Sequence, residues 1–319
     1  MTDHALTYTG GALDRAGDLR KDPAWIAERL ARPDTRILPV WRDLPLTEGA
    51  RHSPEGPAPA TVAGTAAARL LDAASETVFL GLDGEAAVFA ADLSEQEEDT
   101  AQGLVEQGAF TDLRQTGAWM SATDAALMAF ARGILHWHRT HRYCGRSGHA
   151  TEIHHGGHMR RCTGTECGRE TYPRTDPAVI MLVEHRPADG APRCLLAHHG
   201  RLPARAYSTL AGFVEPGESL EEAVAREVFE ETGVRVGRVM YQASQPWPFP
   251  ASIMLGFRAR AETTEITLDP DELEDARWFT AEEIAGFGEW EDEGAEVRLS
   301  RRDSISRFLL DTWLAEVRS

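Results

Sequence analysis

The 23 residues from Gly212 to Val234, GFVEPGESLEEAVAREVFEETGV, decide how this chain is read. Ser219-Leu-Glu-Glu222 is a capping box, whose Ser hydroxyl and Glu carboxylate take N–H groups that a first helical turn leaves without partners. A helix is therefore expected from Ser219. Gly233 stands where a C-terminal cap needs positive φ, and Pro216-Gly217 makes the turn ahead of the helix. At ~100° per residue, Glu227, Glu230 and Glu231 are neighbours at i, i+3 and i+4, beside the apolar positions Leu220, Val224 and Val228. Like charges on the inward side of a helix repel, more strongly as water is withdrawn. Divalent cations resolve that conflict, and carboxylates suit a hard ion such as Mg²⁺, which shares its shell with substrate phosphates. Arg226 is expected to pair with Glu218 or another glutamate. A solvated Glu-rich helix would account for one or two of these acids, but not for glycines at fixed distance on both sides.

Outward from this segment, strands are expected at Ala178–Val183, Cys194–Ala197, Val234–Gln242 and Ile253–Ala261. A second capping box, Thr280-Ala-Glu-Glu283, starts a short helix. A terminal helix from about Ser304 carries Ile305, Phe308, Leu309 and Trp313 on one face. Earlier in the chain, Ser121 to His138 reads as a helix. Thr77–Leu80 and Ala86–Ala90 flank Asp83-Gly84 as a hairpin, and Gly49–Ala60, with three prolines, reads as an extended surface loop.

The composition bounds the rest. A chain of 319 residues holds about two domains, and 42% hydrophobic with 26% charged residues describes a folded protein. A net charge of −18 excludes coating of nucleic acid or anionic membrane through bulk electrostatics. No apolar run approaches the ~20 residues that span a bilayer, so no membrane partner is expected. Met1-Thr2-Asp3-His4 lacks the features of a secretory signal, so a cytoplasmic location is expected. From His136 to Thr175 the balance reverses, with seven Arg against three Glu and seven His. Three of the four cysteines fall there: Cys144, Cys162 and Cys167, the candidate zinc ligands. Where a C-x-x-C would place a fourth thiol stands Ser147. His149, His154, His155 or His158 is available to complete a Cys₃His set, and three reduced thiols in a packed ribbon is the competing expectation.

Gly212–Val234 fills every position of the Nudix box, G-x5-E-x7-R-E-U-x-E-E-x-G-U with U apolar. Downstream, Ser244-Gln-Pro-Trp-Pro-Phe-Pro-Ala-Ser252 is similar to the S-Q-P-W-P-F-P-x-S motif of NADH pyrophosphatases (NAD diphosphatases). The order of N-terminal domain, ribbon, Tyr172-Pro173, box and motif resembles that branch over most of the chain. The resemblance implies an α/β fold: a Nudix α/β/α sandwich (173–319), a zinc-ribbon-like insert (139–172) and an N-terminal α+β domain (1–138). It implies metal-dependent hydrolysis of the pyrophosphate in NADH or NAD⁺, with Mg²⁺ or Mn²⁺ held by Glu227, Glu230, Glu231, Glu272 and the carbonyl of Ala211. Glu230 or Glu231 takes a proton from water, and Arg226 orients the set. It also implies substrate contacts from Tyr172, Phe213, Arg114, the loop carrying Gln245, Trp247, Phe249 and Ser252, and the helix start at Ser306. A homodimer, with Tyr172 and Phe213 holding the nicotinamide end, and structural Zn²⁺ in the ribbon complete these expectations. The alternatives are decapping of NAD-capped RNA, steered by the basic segment, and a non-catalytic ligand-sensing regulator, for which a decayed box would be expected.

Overall fold

The computed structural model describes residues 6–51, 53–188 and 190–318, so the N-terminal tetrapeptide read above lies outside the described residues. The chain forms two compact units. One comprises residues 7–175 with 247–251, and the other residues 176–246 and 252–318 with Leu6.

In the first unit, β1 (Arg36–Trp41), β2 (Leu44–Glu48), β3 (Glu76–Asp83) and β4 (Ala86–Asp92) form a sheet in the order β2-β1-β4-β3, with β1 parallel to β4. The expected hairpin is β3–β4, and Gly84 takes its turn at φ 61°. Side chains alternate across the sheet. Leu38, Val40, Val78 and Leu80 pack against Met128, Ile134 and Leu135, whereas Ile37, Phe79 and Phe89 pack with Ala67 and Leu70. The first set comes from α2 (Ala122–Thr140), capped by Ser121, and the second from α1 (Gly64–Ala73). The Gly49–Ala60 expectation is corrected at its end. Ala58–Pro59 pairs with β2 at the sheet edge, where a residue without an N–H is tolerated.

The ribbon follows with β5 (Thr151–His154) antiparallel to β6 (Met159–Cys162) and then Glu170–Thr171. His138, fully buried, ties it down: its Nε2 meets the Gly157 carbonyl at 2.8 Å and its Nδ1 meets Arg160 at 2.7 Å. His158 Nε2 likewise meets the Phe79 carbonyl at 2.8 Å.

In the second unit, β7 (Asp176–His185) is central, in the order β10-β11-β7-β8-β12. These are β8 (Arg193–His198), β10 (Val236–Trp247), β11 (Ser252–Ala261) and β12 (Asp275–Thr280). β9 (Leu210–Phe213) pairs antiparallel with the first half of β7, β8 with its last residues, and β11 lies parallel to β7 on the other side. β7 is buried on both faces and so reads as a continuous apolar run. Val179, Met181 and Val183 meet Val224 and Val228 of α3 (Leu220–Thr232). Ile180 and Leu182 meet Leu309, Leu310 and Trp313 of α4 (Ile305–Arg318). That is the expected α/β/α sandwich. β10 runs five residues past its expected end, because at an edge strand Pro246 interrupts no ladder. Among the described residues, no helix is long and apolar enough to cross a membrane.

Candidate active site

α3 begins and ends as its sequence dictates. Ser219 and Glu222 form the capping box, and Gly233 closes the helix at φ 69° with its N–H on the Phe229 carbonyl at 2.8 Å. Arg226 gathers the loop onto this helix. It donates to both carboxylate oxygens of Glu218 (2.5 and 3.0 Å), to Glu227 and Glu230 (2.9 Å each) and to the Phe213 carbonyl (2.9 Å). The bond to Glu218 leads in raising the guanidinium above its ordinary range. Five bonds from one planar fork fix where the acids stand.

β9 carries Ala211 and Gly212 past the helix. A Cβ on Gly212 would lie 1.8 Å from the carboxyl carbon of Glu227, so only glycine lets that side chain settle against the strand. Glu231 is 7% exposed, and its Oε2 has no hydrogen-bond partner. Burial first, and then the charges of Glu227 and Glu272, push it up to about 8. Burial also raises Glu227, against the pull of Arg226. Glu230 differs from the expectation of an inward-facing group: its side chain is 54% exposed and its Oε2 rests on Arg226.

Glu272 reaches this group through the backbone. Thr267 N–H bonds the Thr232 carbonyl at 2.8 Å and Asp269 N–H bonds the Glu231 carbonyl at 3.1 Å, which docks the 267–273 loop on the end of α3. Sequence reading missed these two anchors, because a backbone N–H leaves no trace in residue identity. A buried carboxylate without a partner, two further acids beside it and a glycine cradle fit a divalent cation.

The expected substrate residues divide. Phe213 and Tyr172 are exposed, at 61% and 54%. Trp247 and Phe249 cluster with Tyr8 in the first unit: Trp247 is half-buried, and Phe249 is 9% exposed with the Arg114 guanidinium 4.5 Å from its ring centre. The Phe249 ring is therefore spent on packing rather than presented. Ser252 opens β11. Gln245 is fully buried, its amide nitrogen donating to the Asp303 carbonyl (2.6 Å) and its amide oxygen accepting the Ile305 N–H (2.8 Å). The Ser306 hydroxyl bonds Ser208 and Thr209.

In the ribbon, the sulfurs of Cys144, Cys162 and Cys167 lie within 4.8 Å of one another, and all four cysteines of the chain are free. None of the four candidate histidines joins this cluster among the described residues. Ser147 stands beside them, its Oγ 3.2 Å from Cys162 Sγ. The Ser147 hydroxyl, with backbone N–H groups, lowers the Cys144 thiol to about 6. Three thiols so placed fit a soft cation such as Zn²⁺. Of the seven basic-segment arginines, Arg139 pairs with Asp43 and Asp92, Arg142 with Glu95, Arg160 with Glu76 and Arg161 with Glu170, which reduces the free positive charge.

A sandwich carrying an acid-lined loop–helix–loop defines a Nudix-type protein. Three family models match this chain: the NUDIX domain over residues 174–298, the NADH pyrophosphatase-like rudimentary NUDIX domain over 34–137, and the NADH pyrophosphatase zinc ribbon domain over 139–172. The chain belongs to the Nudix hydrolase family, in its NADH pyrophosphatase branch. It is 48% identical to human "NAD-capped RNA hydrolase NUDT12" over 167 residues, 50% of this chain and 36% of that protein. It is 47% identical to "Nudix hydrolase 19, chloroplastic" of Arabidopsis thaliana over 166 residues, 50% of this chain and 37% of that protein. Mycobacterium bovis "NAD-capped RNA hydrolase NudC" is 40% identical over 209 residues, 64% of this chain and 65% of that protein. The matched regions thus span between about a third and two thirds of these relatives.

Proposed function

We propose that this chain hydrolyses the pyrophosphate of NADH or NAD⁺, giving nicotinamide mononucleotide (reduced or oxidised) and AMP. The observation that carries the reading is the buried, partnerless Oε2 of Glu231 beside Glu227 and Glu272, within a box that has lost no position. Glu227, Glu230, Glu231, Glu272 and the Ala211 carbonyl would hold Mg²⁺ or Mn²⁺. Such ions neutralise phosphate charge and acidify water. Arg226 keeps the loop and helix carboxylates in fixed relation, so the site does not reorganise as charge moves. Of the two candidate bases, Glu231 is better placed to take a proton, because Glu230 is committed to Arg226 and solvent. Trp247, half-buried in a proline-fixed turn, is the ring platform of the 245–252 segment, with Ser252, Arg114 and the Ser306 backbone as further contacts.

The division into 1–138, 139–172 and 173–319, with Zn²⁺ in the middle segment, belongs to the same reading. We infer a cytoplasmic homodimer. Four free cysteines suit a reducing compartment, and the exposed rings of Tyr172 and Phe213 call for a ligand or a second copy. The names of the human and mycobacterial relatives favour a second substrate, NAD-capped RNA, cut at the same bond. Mass analysis of products after incubation of NADH with Mg²⁺ or Mn²⁺ tests the proposal. AMP and reduced mononucleotide are expected, and intact NADH, or free nicotinamide, would refute it. Comparing kcat/KM for NADH and NAD-capped RNA at two salt concentrations ranks the substrates.

A further inference from the structure

Thr209 lies where the chain changes strand partners. Ser208 still exchanges two backbone bonds with Ala197 of β8 (2.8 and 2.9 Å), while Leu210 already pairs with Met181 of β7. Successive N–H groups of an extended chain point to opposite sides, so the buried Thr209 N–H has no neighbouring strand to meet. It donates instead to Ser306 Oγ at 3.1 Å, and the Ser208 hydroxyl donates to the same oxygen at 2.9 Å. Ser306 is itself fixed by the start of α4. Gln245, on β10, accepts the Ile305 N–H at 2.8 Å and donates to the Asp303 carbonyl at 2.6 Å. A polar clamp thus runs from β10 through the head of α4 to Thr209, two residues before Ala211 and three before the glycine beneath Glu227.

We propose that Ser306, held by Gln245, is a positioning residue whose hydroxyl fixes β9 so that the Ala211 carbonyl and Gly212 stand in register with the carboxylates of α3. This rests on the metal-site reading above. In wild type, β9 is pinned on one edge by the β7 ladder and at its entry by Ser306. Without the hydroxyl, the entry has a buried N–H with nothing to bond, and the strand end opens to find water.

The test uses the full chain, stripped of metal, in three forms: wild type, S306A and S304A. Ser304 caps the same helix through the Arg307 N–H at 3.3 Å but makes no bond to β9, so S304A reports what loosening α4 alone does. Hydrogen exchange across residues 206–214 should quicken about tenfold in S306A and stay at the wild-type rate in S304A. By EPR titration, the Mn²⁺ concentration for half-saturation should rise about tenfold in S306A only, as expected when a partner behind a metal site is lost. Unchanged exchange in S306A, equal quickening in S304A, or an unchanged Mn²⁺ titration would each overturn the proposal. If wild type binds no Mn²⁺ at all, the metal-site reading falls, and the exchange comparison still decides whether Ser306 clamps β9.

Discussion

Replacing Glu231 by Gln should make the metal-free protein more stable while destroying its activity. In the folded chain this carboxyl is buried, lacks a partner for Oε2 and is pushed up to about 8 by burial and by the charges of Glu227 and Glu272. Unfolded, it returns to the ordinary value of 4.5. Because the folded state holds the proton more tightly, the penalty is absent below the unfolded value, grows as pH rises and levels off above the folded one. At pH 7, keeping a proton that the unfolded chain would release costs roughly 3 kcal/mol. The amide of E231Q cannot ionise, so the variant escapes that cost, which corresponds to a melting temperature higher by on the order of 5–10 °C. The assay is thermal and urea unfolding in chelator at pH 5 and pH 7. The gap between variant and wild type should be small at pH 5 and open at pH 7. Mn²⁺ should then raise the wild type and leave E231Q where it is. A variant less stable than wild type in chelator at pH 7, or equal stabilisation of both by Mn²⁺, would refute the idea of a carboxylate held in reserve for a cation.

Other perturbations probe different joints. R226K should lower kcat by at least about a hundredfold and fail to rescue R226A, because an ammonium cannot reproduce a five-bond planar fork; steady-state kinetics with a metal titration checks this. G212A should keep the fold by circular dichroism yet lose Mn²⁺ binding, since the new Cβ would sit 1.8 Å from the Glu227 carboxyl carbon. Burial lowers His138 to about 3 and His158 to about 4, so the unfolded chain takes up protons first as pH drops below 6.5. Stability should therefore fall between pH 6.5 and 4, by about 2 kcal/mol per histidine at pH 5, and H138N should flatten that slope in urea titrations.

Much of the sandwich was legible because its signals are local. The capping boxes at Ser219 and Thr280, the cap at Gly233 and the apolar face of α4 each depend on residues within a turn or two. The acid cluster was legible for the same reason, since helical spacing alone sets Glu227 beside Glu230 and Glu231. What escaped depends on contacts far apart in sequence. Gln245 sits in a motif that resembles a ligand loop, yet its amide is spent on a helix start sixty residues on. Phe249 looks like a presented ring and is packed against Trp247 and Tyr8, with the Arg114 and Arg132 guanidinium groups over its ring; Tyr8 and both arginines come from segments far away in the chain. Glu272 resembled a ligand by position only, and the amides of Thr267 and Asp269 supply the physical reason it arrives. The histidines near the cysteines had no shared spacing; the His154 ring went to Glu152 and the His158 ring to the Phe79 carbonyl.

A crystal soaked with Mn²⁺ and a nonhydrolysable NADH analogue measures the central claim most directly. Anomalous density should appear between Glu227, Glu231 and the Ala211 carbonyl, against the bridging phosphates of the analogue. Manganese absent from that group of oxygens, with the analogue bound elsewhere, would contradict the account.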